Sequence, residues 1–303
     1  MTTMMNSAVG TRIGSDAAWP DPATWPWPPQ WLRVADGRLH YVRAGSGPRV
    51  VLVHGTPTWS YEWRHALDVL KESHEAIAFD HLGFGRSERP PDADYSPEAH
   101  AARFHELMAG LVPADNVSLV LHDFGGPIGL DWALEHTDRL SHLVIVNSWM
   151  WPLEEDPSMK RAARLAGSGL SRLLYRWANA SLRLIMPGAY GDRSRLTPAI
   201  HAQYLAAFRD ADSRERALFA LARSLLGSSR YYRTLWDRRD RLADVPVTII
   251  WGMRDSAFKP ALLERWREAV PHAAVRPIEG AGHWPHEELP EEFNAVLKAA
   301  LRT

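Results

Sequence analysis

The sequence predicts an α/β fold: a parallel sheet whose strands alternate with helices and are interrupted once by a helical insertion. Short runs at 50–53, 117–121, 143–146 and 247–251, apolar except for Ser118 and Thr248, read as strands buried on both faces. Between such runs the apolar residues take helical spacing, as with Phe104, Leu107, Met108 and Leu111. From Met150 to about Asp244 strand signals cease, and helical patterns such as Leu173, Leu174, Trp177 and Leu218, Leu221, Leu225 replace them.

Taken in order, 1–29 is an arm, small and polar to Asp16 and then rich in Trp-Pro pairs at Trp19, Trp25 and Trp27. Proline fixes an extended geometry there, so the arm reads as a strap packed on the domain. Ala35-Asp36-Gly37 between 31–34 and 39–42 is a hairpin signal, because glycine supplies the backbone freedom of a tight turn. Strand 50–53 ends at His54-Gly55-Thr56, and strand 76–79 ends at Asp80. Ser96-Pro97 opens a helix as a cap followed by proline at its first position, and Thr197-Pro198 does the same in the insertion. After the insertion come strand 247–251, a helix over 261–269, a strand at 275–278 and a last helix with Phe293, Val296, Leu297 and Leu301. The expected domains are thus the arm 1–29, a core of 30–149 and 245–303, and a helical cap of 150–244.

At 303 residues, 46% hydrophobic and 23% charged, the chain has material for one large core. A formal net charge of -1 and no long basic run give no footprint for nucleic acid or a membrane surface, so small molecules are the expected partners. The chain has no cysteine, which removes disulfides and thiol chemistry. The first residues lack the basic start and apolar core of a signal peptide, and no stretch is long and apolar enough to span a bilayer. The expectation is a soluble, cytoplasmic protein that needs no cofactor and no metal, since its histidines do not cluster at ligand spacings.

One stretch carries the chemistry. Val120-Leu121-His122-Asp123-Phe124-Gly125-Gly126 is a strand, a tight turn and a helix start, and it lifts Asp123 beside the N–H groups of a helix N-terminus. Asp at such a place is also an ordinary helix cap, so other residues must decide. Ligands of parallel sheets sit beyond the carboxyl ends of the strands. Those ends here also carry His54-Gly55-Thr56, Asp255 in Gly252-Met253-Arg254-Asp255 and His283 in Gly280-Ala281-Gly282-His283. Asp123, Asp255 and His283 follow the chain order nucleophile, acid, histidine.

With these motifs in hand, the chain resembles the haloalkane dehalogenases, α/β-hydrolases related to the epoxide hydrolases. The resemblance runs from about Trp31 to the C-terminus and is strongest at 54–60, 80–87, 122–126, 252–255 and 280–283. It implies an α/β-hydrolase fold, a mostly parallel eight-stranded sheet with a helical cap inserted after the sixth strand, and a small apolar organic substrate that reacts with water. A carboxylate is ionised at neutral pH and displaces a leaving group from a saturated carbon without a base, as a serine hydroxyl does not. The ester left on Asp123 is then cleaved by water with His283 as base and Asp255 as its orienting acid. Backbone N–H groups of Thr56 and Phe124 are placed like an oxyanion hole.

The chain departs from its family at two positions. Dehalogenases place Trp after the nucleophile and Asn or Glu after His-Gly, where this chain has Phe124 and Thr56. Trp151 and Trp177 are the candidates to replace the missing halide donor. Epoxide opening is the alternative activity, with Tyr204, Tyr231 and Tyr232 as candidate cap tyrosines. β-Lactone decarboxylation and a non-catalytic ligand-binding homologue follow it.

Overall fold

The computed structural model of the chain describes residues 19–302; residues 1–18 of the arm lie outside them. Eight strands form one sheet: β1 (Gln30–Val34), β2 (Gly37–Ala44), β3 (Arg49–Val53), β4 (Glu75–Phe79), β5 (Val117–Asp123), β6 (Leu140–Ser148), β7 (Val247–Gly252) and β8 (Ala274–Ile278). Their spatial order is β1-β2-β4-β3-β5-β6-β7-β8, with β2 antiparallel to both of its neighbours, β1 and β4, and the remaining pairs parallel.

Burial explains the order. All residues of β5 and β7 are buried, and Val50 to Val53 of β3 are fully so, and each of these strands has a neighbour on both sides. The outermost strands are the less apolar ones: β1 alternates, and β8 carries Pro277, whose missing N–H suits an edge. Each fully buried Val, Leu or Ile contributes roughly 1.5–3 kcal/mol, so register is set by these runs. The connection after β3 runs to β4 and the connection after β5 runs to β6, in opposite directions along the sheet. A crevice forms beyond the carboxyl ends of β3 and β5, which carry His54-Gly55-Thr56 and Asp123.

Between β6 and β7 the described chain contains helices only, among them Pro157–Ala166, Gly169–Ala178, a π-helical turn Ser181–Ile185, Pro198–Ala207 and Ala220–Gly227. The described part of the arm packs as a strap. Trp25 is buried against Trp59, while the Trp19 indole N–H donates to the Gln203 carbonyl at 3.1 Å, joining the loop after β3 to helix Pro198–Ala207. No described helix is long and apolar enough to cross a membrane.

Candidate active site

Strand β5 ends in a strained turn that presents Asp123. Its φ is +49°, in the left-handed region that a residue with a Cβ enters at a cost of about 1–3 kcal/mol. The turn is possible only because its neighbours are bare: a Cβ on Gly55 would collide with the Asp123 side chain, and one on Gly126 with Ser148 Oγ. Ser148 Oγ donates to the Asp123 carbonyl at 2.6 Å and ties the turn to the end of β6. Helix Gly125–Glu135 follows at once, with Phe124 at its N-cap position.

The carboxylate is buried and held from both sides. Oδ1 accepts the Thr56 backbone N–H at 2.8 Å, and Oδ2 lies 3.4 Å from His283 Nε2. On the far side of the ring, His283 Nδ1 meets Asp255 Oδ2 at 2.7 Å. Asp255 is itself fixed by the N–H groups of Ala257 and Phe258 on Oδ1, at 2.7 and 2.9 Å, and by Asn147 Nδ2 on Oδ2, at 2.8 Å.

Charge follows from this geometry. Burial alone would keep His283 neutral, but Asp255 and Asp123 flank it and raise its pKa to about 10. Burial alone would likewise raise Asp123; the hydrogen bond and charge of His283, with His122 and the Thr56 N–H, bring it below the ordinary aspartate value instead. The resting site is therefore an imidazolium between two carboxylates.

A cavity of about 430 Å³ opens over Asp123. Its floor includes Thr56, Phe124 and His283, and its roof includes Tyr175, Ser181 and Leu184 of the insertion. The lining is overwhelmingly aliphatic and aromatic, with few polar atoms. One is the Thr56 hydroxyl, which is buried without a hydrogen-bond partner. Another is the Tyr175 hydroxyl, raised to about 12 by burial and hydrogen-bonded to Ser181.

The structure thus brings Asp123, His283, Asp255, Thr56 and Phe124 together. It does not bring Trp151 or Trp177 to them. Trp151 is buried against Trp236 and Trp266 under the Arg265 guanidinium, and Trp177 is 68% exposed with Arg176 over its ring. The tyrosines singled out from the sequence also point elsewhere: Tyr204 donates to Glu287, Tyr231 to the Pro127 carbonyl and Tyr232 to the Ser224 carbonyl.

Sequence reasoning missed Asn147, His122 and Glu62. Asn147, at φ +36° near the end of β6, bridges Asp255 and the Gly252 N–H, and its place near a strand end was the available signal. His122 faces acceptors on both ring nitrogens, Glu62 Oε1 at 3.1 Å and the His283 carbonyl at 2.9 Å, so it links the elbow to the backbone of His283. Glu62, His122 and His286 offer three ligand atoms within 4.8 Å of one another. A metal there would have to displace the hydrogen bond between Glu62 and His122.

The comparisons bear on fold and family. Residues 48–290 match the family model of the alpha/beta hydrolase fold. Haloalkane dehalogenase 2 of Mycobacterium tuberculosis is 31% identical over 284 residues, covering 92% of this chain and 96% of the relative. A cis-3-alkyl-4-alkyloxetan-2-one decarboxylase of Shewanella oneidensis is also 31% identical, over 90% of this chain and 88% of the relative. The crystal structure of a haloalkane dehalogenase from Agrobacterium tumefaciens C58 superposes with a TM-score of 0.78 at 24% identity, covering 91% of this chain and 96% of that one. Epoxide hydrolase 1 of Caenorhabditis elegans matches at 24% identity over 91% of this chain and 70% of the relative. The chain is an enzyme of the α/β-hydrolase fold family and belongs to its haloalkane dehalogenase-like members, which are related to the epoxide hydrolases.

Proposed function

We propose that this enzyme hydrolyses a carbon–halogen bond at a saturated carbon through a covalent ester on Asp123. The observation that carries the reading is an ionised carboxylate in the floor of an apolar cavity, backed by His283 and Asp255. In this reading 150–244 acts as the cap over a core of 30–149 and 245–303.

Asp123 Oδ2 attacks the carbon and the halide departs with the bonding pair. Oδ1, which accepts the Thr56 N–H, becomes the ester carbonyl. Ester formation also removes the negative charge of one of the two carboxylates that hold the His283 proton, so its pKa falls, the imidazolium gives that proton up to solvent along with the departing halide, and the neutral imidazole becomes available as base. Water then gives a proton to Nε2 while its oxygen adds to the ester carbon. The oxyanion that forms on Oδ1 is met by the Thr56 and Phe124 N–H groups. Collapse expels the alcohol, which takes the proton back from His283, and the carboxylic acid left on Asp123 passes its own proton to Nε2, restoring the carboxylate and the imidazolium. Thr56 supports a halide as leaving group, because its hydroxyl is an unpaired donor in the cavity wall beside the nucleophile.

Epoxide opening is the second reading, and the Tyr175–Ser181 pair favours it. A hydroxyl pair facing Asp123 across the cavity is a proton source for an alkoxide that stays attached to the substrate. A panel of bromoalkanes, epoxides and β-lactones, read by bromide, diol and alkene release, separates these activities. Bromide release is expected, and Phe124→Trp should raise it ~10–100-fold by adding an indole donor beside the nucleophile. Diol release without bromide from either protein would transfer the assignment to the epoxide hydrolases.

A further inference from the structure

The near-zero charge of the chain hides two opposite halves. Residues 150–244 carry 17 Lys and Arg against 10 Asp and Glu, whereas the remainder carries 18 against 26. The imbalance is sharpest over 157–191, which has six basic residues and no acidic one.

The same stretch holds the exposed apolar surface. Of the eight large apolar side chains exposed among the described residues, seven lie within 165–185: Leu165, Leu170, Leu173, Leu174, Trp177, Leu184 and Ile185. Their exposures run from 41% to 68%, far above what scattered surface leucines require explanation for. Leu170, Leu173, Leu174 and Trp177 stand at i, i+3, i+4 and i+7 of helix Gly169–Ala178 and so share one of its faces. Leu165, Leu174, Leu184 and Ile185 also line the catalytic cavity, while Leu173 and Trp177 share a neighbouring depression with Arg172 and Arg176.

We infer that this face of the insertion docks on an anionic lipid bilayer, with the cavity rim turned toward the lipid. Leucines and a tryptophan ringed by cations are the composition that seats a helix at the boundary between headgroups and acyl chains. Arg172 and Arg176 are partly neutralised by Glu215, and Arg176 also by Asp212. Lys160, Arg161, Arg164 and Arg183 are exposed and pair with no carboxylate among the described residues. A second copy of the chain fits this face poorly, because a two-fold axis would bring the same unpaired cations against each other. An apolar substrate dissolved in the bilayer would meet the cavity through the very side chains that form its rim. The inference goes beyond the proposed reaction and does not depend on which bond Asp123 attacks.

Flotation of the full chain with vesicles tests it without reference to activity. Vesicles of phosphatidylcholine containing roughly one-third phosphatidylglycerol should carry the protein at least about tenfold better than phosphatidylcholine alone, and about 0.5 M salt should remove the difference. Each surface cation is worth roughly fivefold in partition, so Lys160→Glu, Arg164→Glu and Arg183→Glu combined should lose on the order of 100-fold. Leu170→Ser, Leu173→Ser and Trp177→Ser combined should lose binding to a similar degree, while Trp31→Ser, on the exposed aromatic outside the insertion, should not. Circular dichroism and melting curves confirm that each variant is folded. A folded wild-type chain that stays in solution with anionic vesicles, or binds neutral and anionic ones alike, overturns the inference. So does a concentration-dependent dimer that the leucine and tryptophan replacements dissolve.

Discussion

Two side chains hold unusual states, and both states follow from their neighbours. Asp123 tolerates a left-handed backbone because the turn is fixed by the Thr56 N–H, by Ser148 and by helix Gly125–Glu135. His283 is the counterpart: an imidazole that ordinarily titrates near 6.5 does so at about 10. A group whose pKa rises on folding adds stability that is complete below its unfolded value and disappears as pH climbs through its folded value. For His283 that window runs from about 6.5 to about 10. The wild type should therefore melt several degrees above His283→Gln near pH 6, and the gap should narrow steadily toward pH 10.5. A gap that does not change with pH would mean that the resting imidazole is neutral and that no proton is stored between the two carboxylates.

Elements position these residues through close backbone approach. The turn after β3, the elbow after β5 and the end of β6 meet where Gly55, Asp123, Gly126 and Ser148 touch, and nothing larger than hydrogen fits at either glycine. Gly126→Ala forces Ser148 aside and breaks its bond to the Asp123 carbonyl, so the elbow must tilt. Denaturant melts should show a loss of roughly 1–3 kcal/mol, and turnover should fall by at least about tenfold, since sub-ångström displacement of a nucleophile is costly. Gly227→Ala, at the end of helix Ala220–Gly227 with open space around it, is the matched control and should be neutral or stabilising by up to about 1 kcal/mol. Equal effects of the two substitutions would mean that the elbow has room to spare. The strand ends were legible from the sequence because a polar residue closing a buried apolar run has few structural reasons to be there. Asn147 and His122 escaped notice because their roles lie in which atom each faces, and period-2 or period-3.6 patterns do not contain that.

At the scale of the whole molecule, the sheet and its helical interruption were readable because burial on both faces writes itself as continuous apolar runs, as in 50–53 and 143–146. The roof over the cavity was not. Trp151, in the bend that opens the insertion, is buried among tryptophans, Trp177 on helix Gly169–Ala178 stands in solvent, and Tyr175 of the same helix lines the cavity over Asp123. Side-chain direction in the insertion depends on how its short helices cross one another, and amphipathic spacing fixes only which face is more apolar. Net charge was uninformative for the same reason: it sums over halves that the fold separates. The proposed reaction takes a covalent route through one carboxylate. Peptide mass spectrometry of His283→Gln after incubation with a bromoalkane measures that route. A mass increase equal to the alkyl group, on Asp123 alone and persistent because hydrolysis has lost its base, is the result predicted here. Alkylation at any other residue, or full turnover by this variant, would contradict it.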